Sequence, residues 1–235
     1  MLEAARKTAV KTIGVPVAKV LDLLGFNSKE LYELAYWKVR KWREPVLTND
    51  HYEPLFTKWI GVDREHYDNK AILDIGCGPR GSLEWADNAR ERVGLDSLVN
   101  SYRKLGIEAH AMTYVHAGAE SIPFEDAHFD IVTSFNSLDH VEDVASVVHE
   151  IHRVLAPNGE FIVVVEIHAK PTIAEPHVLS WNFLDEFREL FEFRNEEYLD
   201  FNPQFGGASA ALQSRIPVAD RTGDGVVFAI ARKRN

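Results

Sequence analysis

Residues 72–81 read Ile-Leu-Asp-Ile-Gly-Cys-Gly-Pro-Arg-Gly, an apolar strand that runs into an acid and then into three glycines, Gly76, Gly78 and Gly81. Glycines at this spacing let a strand bend sharply into a following helix. They also let backbone N–H groups come against a ligand, because no Cβ intervenes. The run predicts a strand–turn–helix unit of an α/β protein whose turn receives a nucleotide-like cofactor.

Gly76-x-Gly78-x-x-Gly81 also fits the dinucleotide fingerprint, with Asp96 at the distance of the ribose acid. Asp74 separates the two ligands. A carboxylate just before the first glycine repels a pyrophosphate and attracts an ammonium or a sulfonium. S-adenosylmethionine carries both cations and is the cofactor expected here. Arg80, which suits a phosphate, keeps NAD as the alternative, and a tight turn without any ligand is the plain structural reading.

The 235 residues, 46% of them hydrophobic, suit one α/β domain with an appendage. A formal net charge of -10 argues against a nucleic-acid footprint, which needs a basic face, and favours a small-molecule substrate. Cys77 is the lone cysteine, so no internal disulfide forms, and its place within the turn points to a small residue chosen for fit. A cytoplasmic protein is expected. No apolar run is long enough for a transmembrane helix, and Lys7, Lys11 and Lys19 interrupt any signal-peptide core. Oligomeric state is not legible.

Charge is unevenly spread. Residues 1–43 hold nine Lys or Arg against four Asp or Glu, net +5, which leaves -15 on the remainder. Val17, Val20, Leu21 and Leu24, then Leu31, Leu34 and Ala35, recur at helical spacing, so two or three short helices are expected. We read residues 1–60 as a helical cap or lid and 61–235 as the catalytic domain. The plain expectation for the cap is packing on that domain; the sharper one is a basic amphipathic surface that docks on anionic lipid or an acidic partner. Tyr32, Tyr36, Trp37 and Trp42 are read as core residues or as the lining of a substrate lid.

From residue 70 onward, β-branched runs alternate with helical segments, which implies crossover connections and a mostly parallel sheet sandwiched by helices. Strands are expected near 71–75, 92–96, 110–115, 129–134, 160–167, 192–199 and 225–232, with helices in most of the gaps. The clearest helix covers 142–155, where Val144, Val147, Val148, Ile151 and Leu155 make one apolar face. Pro157-Asn158-Gly159 then turns the chain into the apolar run 161–165, a central strand. Residues 200–224, rich in Gly, Ala, Ser and Pro, are expected to form a long loop. Ligands of such sheets bind beyond the strands' carboxyl ends at the switch in strand order. That rule selects Asp74, Gly76, Gly78, Asp96, Glu120, Asn136 to His140, Glu166 and His168.

Four segments in order carry a family likeness: Leu73-Asp74-Ile75-Gly76-Cys77-Gly78; Val93-Gly94-Leu95-Asp96; Ala119-Glu120-Ser121-Ile122-Pro123-Phe124 followed by Phe129-Asp130; and His152-Arg153-Val154-Leu155-Ala156-Pro157-Asn158-Gly159. Through them residues 70–168 resemble the class I S-adenosylmethionine-dependent methyltransferases, particularly those acting on small molecules. The resemblance implies a Rossmann-like seven-stranded sheet with an antiparallel last strand. It implies that Gly76 and Gly78 pack against the methionine part of the cofactor, that Asp74 helps hold its amino group, and that Asp96 chelates both ribose hydroxyls. Many relatives place an Asp before the Ala-Glu pair; here that position is Gly118, so the adenine contact falls to the Ala119 backbone and to Glu120. Phe135 and Asn136 would lie beside the reactive methyl.

His140 and His168 are the candidate bases, since an imidazole titrates near neutral pH and can take a proton from a hydroxyl or amine. Packing or capping at a helix start is the plain role of His140. Glu166, His168, Glu175 and His177 offer metal-type donors without a recognised ligand spacing, and no metal is expected. The expected activity is methyl transfer to a small-molecule acceptor, with a slight preference for oxygen in a metabolite or sugar-like intermediate. The alternatives are an NAD-dependent oxidoreductase and a noncatalytic cofactor-binding regulator.

Overall fold

The computed structural model describes residues 28–170, 178–201 and 207–234, with side chains from Glu30 onward. The first twenty-seven residues, including Val17 to Leu24, and Glu175 and His177 lie outside the described residues.

Seven strands, β1 (Ala71–Ile75), β2 (Glu91–Leu95), β3 (Thr113–Val115), β4 (Phe129–Phe135), β5 (Leu155–Ile167), β6 (Phe191–Asp200) and β7 (Gly225–Lys233), form one sheet of order β3-β2-β1-β4-β5-β7-β6. The first five are mutually parallel, and β7 runs antiparallel to both β5 and β6. The order reverses between β1 and β4, which puts the switch point beyond Ile75 and Phe135.

Both faces of the sheet are covered, and strand alternation sorts the side chains. Leu73, Ile75, Val132, Val163 and Val165 point to one face, where they meet Val147, Val148 and Ile151 together with Phe183, Leu184 and Phe187. Ile72, Ile131, Ile162 and Val164 point to the other, against Leu55, Phe56, Ile60, Tyr67 and Leu83. With both faces dry, the central strands are mostly apolar, as a sheet buried on both sides requires, and their buried polar side chains are hydrogen-bonded, Asp74 with Ser82 and Thr133 and Ser134 with Ser137.

The helices described are α1 (Ser28–Arg43), α2 (Tyr52–Phe56), α3 (Val99–Tyr102), α4 (Val144–Val154) and α5 (Gly207–Ser214). The Asp143 side chain caps α4 by accepting from the Ser146 N–H, and its β-branched apolar face becomes helical because it buries against the sheet. Among the described crossovers α4 is the one long helix, fewer than the alternating pattern predicts. Residues 76–90 hold no helix. After the glycine run the chain closes instead through three successive tight turns, from Gly81 to Glu84, Leu83 to Ala86 and Ala86 to Ala89. Leu83 and Ala86 are buried in these turns, and the Glu84 carboxylate accepts the Ala111 and Met112 N–H groups. Those two amides are thereby taken from the sheet ladder, which is why β3 starts at Thr113 and not near residue 110.

Two further expectations are corrected. The 200–224 loop contains α5, whose buried Ala211 and Leu212 are too few to register as a periodic face. The Pro157-Asn158-Gly159 turn lies inside β5, with Asn158 at φ 62 where the pairing with β4 slips between Phe129 and Ile131.

Candidate active site

The glycine turn owes its shape to three left-handed residues, Gly76 at φ 70, Gly78 at φ 59 and Gly81 at φ 74. Gly76 donates its N–H to Leu95 O at 2.8 Å, which ties the turn to the end of β2. A Cβ on Gly76 would stand 2.2 Å from Ser137 Cβ, so β1 and the loop after β4 touch at that point. Ser137 locks the contact by donating to Ile75 O at 2.7 Å. The strand-end rule includes Ser137 in Asn136 to His140, but nothing in the sequence marks this contact.

Asp96 follows β2 and faces the turn. Its carboxylate accepts from Gly78 N–H at 3.1 Å and from Leu98 N–H at 2.8 Å, leaving further lone pairs on both oxygens. Burial raises its carboxyl above the ordinary range, and the backbone hydrogen bonds and the fields of His140 and His116 oppose that rise.

Asp74 occupies a different environment. It is buried, and its two oxygens accept from Ser82 Oγ at 2.5 Å and Thr133 Oγ1 at 2.7 Å. Burial pushes its carboxyl up to about 7 despite those two hydrogen bonds, with the Asp96 charge adding to the rise. Cys77 is buried beside it; its sulfur would lie 2.6 Å from a Cβ on Gly94, the close fit expected of a small residue.

Glu120 turns back over Gly118, so that its Oε2 would stand 2.9 Å from a Cβ at that position, while Oε1 accepts from Glu142 N–H at 3.0 Å. Ala119 is buried in the core beside Ile122. Asn136, at φ 57, stitches β4 to β5: its N–H donates to Val164 O and its Oδ1 accepts from Glu166 N–H at 3.0 Å. His140 follows in a short 3₁₀ turn, Leu138–His140, with its Nε2 3.7 Å from the carboxylate of buried Asp139. His168 is not beside it. The end of β5 places His168 near Glu166 and Phe201, in a cleft lined by Trp181, Asn182 and Arg221 to which the glycine turn contributes nothing. Among the described residues no cluster of three metal-type donors forms.

The most consequential neighbour of the turn comes from far away in sequence. Trp37 of α1 lies against Gly78, its ring 3.3 Å from where a Cβ would be, and it packs with Leu34 on Leu98, Val99 and Tyr102. Arg80 is buried under the same ring, 5.7 Å from its centroid. There it donates to both Glu44 oxygens, at 2.9 and 2.7 Å, and to Thr48 O. The Arg80 hydrogen bonds hold the Glu44 carboxyl well below the usual carboxylate range. Tyr32, Tyr36 and Trp42 are exposed, neither core nor lining of the turn.

This geometry excludes the dinucleotide reading on two counts. Pyrophosphate sites of that class use a helix N-terminus directly after the glycines, and none follows here. Arg80, the one cation in the turn, is committed to Glu44.

A family model described as a methyltransferase domain matches residues 73–163, the interval that holds the turn, Asp96, Glu120 and His140. Over that interval the chain is similar to S-adenosylmethionine-dependent methyltransferases. It is 32% identical over 146 residues to a chloroplastic tocopherol O-methyltransferase of Arabidopsis thaliana, which covers 57% of this chain and 42% of that one. It is 31% identical to a malonyl-[acyl-carrier protein] O-methyltransferase of Enterobacter lignolyticus, covering 63% and 59% respectively. The chain thus spans about half the length of these curated relatives. In fold it is similar to the YcgJ protein of Bacillus subtilis, with a TM-score of 0.56 at 19% identity over 79% of this chain and 99% of that one.

S-adenosylmethionine is the methyl donor that this methyltransferase-domain likeness implies, and three features of the turn fit it. The left-handed glycines add no side chain of their own to the turn, Asp96 presents acceptors at the strand end, and the Trp37 ring supplies an aromatic wall.

Proposed function

We propose that this methyltransferase transfers a methyl group to an oxygen nucleophile of a small-molecule acceptor. The observation that carries the reading is the meeting of Asp96 with the Gly76–Gly78 turn at the switch point of the sheet, with the field of His140 reaching Asp96. When bound, the cofactor supplies a sulfonium-linked methyl group open to in-line displacement, a reaction that depends mainly on alignment and exclusion of water.

The chain's own residues then divide the work. Asp96 accepts from the vicinal hydroxyls of the ribose while holding Gly78 and Leu98 in place. Glu120 supplies the acceptor for the adenine amino group that Gly118 lacks, because its Oε2 already stands over that position. Gly76 and Gly78 admit the methionine portion. Asp74 acts from beneath the turn, through Ser82 and Thr133, as its support. Asn136 fixes the ends of β4 and β5 against each other. His140, oriented by Asp139, takes the acceptor's proton.

Two named relatives act on oxygen, tocopherol and malonyl-[acyl-carrier protein] O-methyltransferases, while the ubiquinone/menaquinone biosynthesis C-methyltransferase UbiE of Shewanella sediminis acts on carbon. A hydroxyl acceptor needs a base, and His140 beside Asp139 provides one, which favours oxygen.

Two expected outcomes follow from these roles. Asp96→Ala weakens S-adenosylhomocysteine binding by about 1.5–3 kcal/mol, the scale of hydrogen bonds to a charged group, as read by calorimetry; an unchanged affinity removes Asp96 from the site. His140→Gln lowers kcat by about 10²–10⁴-fold while S-adenosylhomocysteine affinity holds. Equal loss of rate and affinity would assign His140 to packing. The overall reading is tested by incubating the protein and isotope-labelled donor with a metabolite extract and identifying methylated products by mass spectrometry. Label on carbon overturns the oxygen assignment, and binding without any labelled product overturns catalysis.

A further inference from the structure

Helix α1 has two faces with different partners. Leu34 and Trp37 are turned inward onto Leu98, Val99, Tyr102 and the glycine turn. On the opposite side, at 100° per residue, Leu31, Ala35, Val39 and Trp42 fall in one stripe with Tyr32 and Tyr36 at its border. Among the described residues nothing covers that stripe. Val39 is 48% exposed, Trp42 82%, and Val46 just beyond the helix 75%. Large apolar side chains grouped on one surface, unlike the singly scattered ones of ordinary protein surfaces, mark an interaction site.

The stripe is bordered by cations. Lys38 lies on one edge and Arg40 and Arg43 on the other, all exposed, while Glu30 falls on the inward side and Glu33, next to Arg40 on the helix, accepts from the inward Trp37 indole N–H at 2.8 Å. The rest of the molecule is strongly acidic, since the chain beyond residue 43 carries -15. An anionic surface therefore repels most of this protein and attracts this patch, which fixes the orientation of any approach.

We propose that the outer face of α1 docks into the interface of an anionic lipid bilayer, with Trp42, Val39 and Leu31 in the acyl boundary and Lys38, Arg40 and Arg43 on the head groups. Aromatic and aliphatic residues on one side of a helix, with Lys and Arg at its borders, are the composition that lies in such an interface. A second copy of the chain fits less well. An isologous pairing through this stripe sets each cation close to its own image in the partner, without an anion on the same face to answer it. Because Trp37 lies on the inward side of the same helix, docking also places the cofactor turn one helix diameter from the lipid surface.

The test is co-sedimentation of the full chain with phosphatidylcholine vesicles prepared with and without phosphatidylglycerol. Pelleting with the anionic vesicles alone, reversed by added salt, is the expected result. Trp42→Ser lowers the partition coefficient roughly tenfold, the scale of one aromatic side chain withdrawn from the interface. Lys38→Gln with Arg43→Gln lowers it roughly thirtyfold, at about 1 kcal/mol per cation near the surface. All these positions are exposed, and unchanged circular dichroism confirms folding of the variants. The proposal is overturned if the protein stays in the supernatant with both vesicle types, or if it pellets equally with neutral vesicles and with both variants. It is also overturned if analytical ultracentrifugation shows a dimer that Trp42→Glu dissociates. No cofactor or acceptor enters this assay, so its failure leaves the methyl-transfer reading intact.

Discussion

Gly76→Ala is expected to lose about 2–5 kcal/mol of folding stability and to abolish measurable S-adenosylhomocysteine binding. Two independent costs meet at this position. An L-residue held in the left-handed region costs about 1–2 kcal/mol, and forcing extra volume into a packed contact costs about 1–3 kcal/mol. Both apply, since Gly76 has φ 70 and its Cβ would stand 2.2 Å from Ser137 Cβ, an atom that cannot swing away. Urea denaturation reads the sum. Gly223→Ala is the control: nothing lies within 4 Å of its Cβ position, and its stability should stay within about 0.5 kcal/mol of the parent. Gly76→Ala combined with Ser137→Gly should recover the crowding portion and leave the backbone portion, a coupling that a double-mutant cycle measures. An undisturbed Gly76→Ala protein would show that β1 and the loop after β4 do not meet as described.

The second large effect is a pH dependence centred on Asp74. Its carboxyl titrates at about 7 in the folded protein against an ordinary value of 3.8, because burial disfavours the charge more than Ser82 and Thr133 favour it. Between those two values the folded chain binds a proton that the unfolded chain has released, so stability falls as pH rises and the full loss is reached above pH 7. A shift of this size corresponds to about 4 kcal/mol. Asp74→Asn cannot ionise and keeps an amide within reach of both hydroxyls. Its stability relative to the parent should therefore improve steadily from pH 4 to pH 7 and then level off. Denaturant titrations of both proteins across pH 5–8.5 check this; a stability difference that ignores pH would show that Asp74 is ionised throughout, at no cost from burial.

Much of the architecture was readable in advance for a simple reason: strands in a doubly covered sheet are apolar at most positions, so β1, β4, the Phe161–Val165 run of β5 and the Val226–Ala231 run of β7 stand out from the background. Asp74, Gly76, Gly78 and Asp96 were equally visible, because a left-handed turn and a strand-end acid each demand particular residue types. The missing helix after the glycines was not visible. Leu83, Trp85 and Ala86 have helix-compatible spacing, and only the capture of the Ala111 and Met112 amides by Glu84 shows the segment closing as turns.

Residues that matter through long-range contact left the least trace. Arg80 suggested a phosphate partner until it was found donating to Glu44, thirty-six positions earlier. Trp37 was one aromatic among four in a basic segment, and nothing local distinguished it from Trp42. Their opposite fates, one against Gly78 and the other bare, follow from which side of α1 each falls on once the helix is laid across the turn. His140 and His168 were both strand-end candidates, and the fold set His140 beside Asp139 and His168 in a separate cleft with Trp181 and Asn182.

By itself, then, the amino-acid order determined the sheet, the glycine turn and the two acids around it, since backbone conformation and burial act on each residue locally. Only the tertiary structure decided what covers that turn, which histidine stands near Asp96, and what Arg80 and Glu84 hold. Those outcomes depend on contacts between segments distant along the chain, and no local preference encodes which distant partner a side chain will meet.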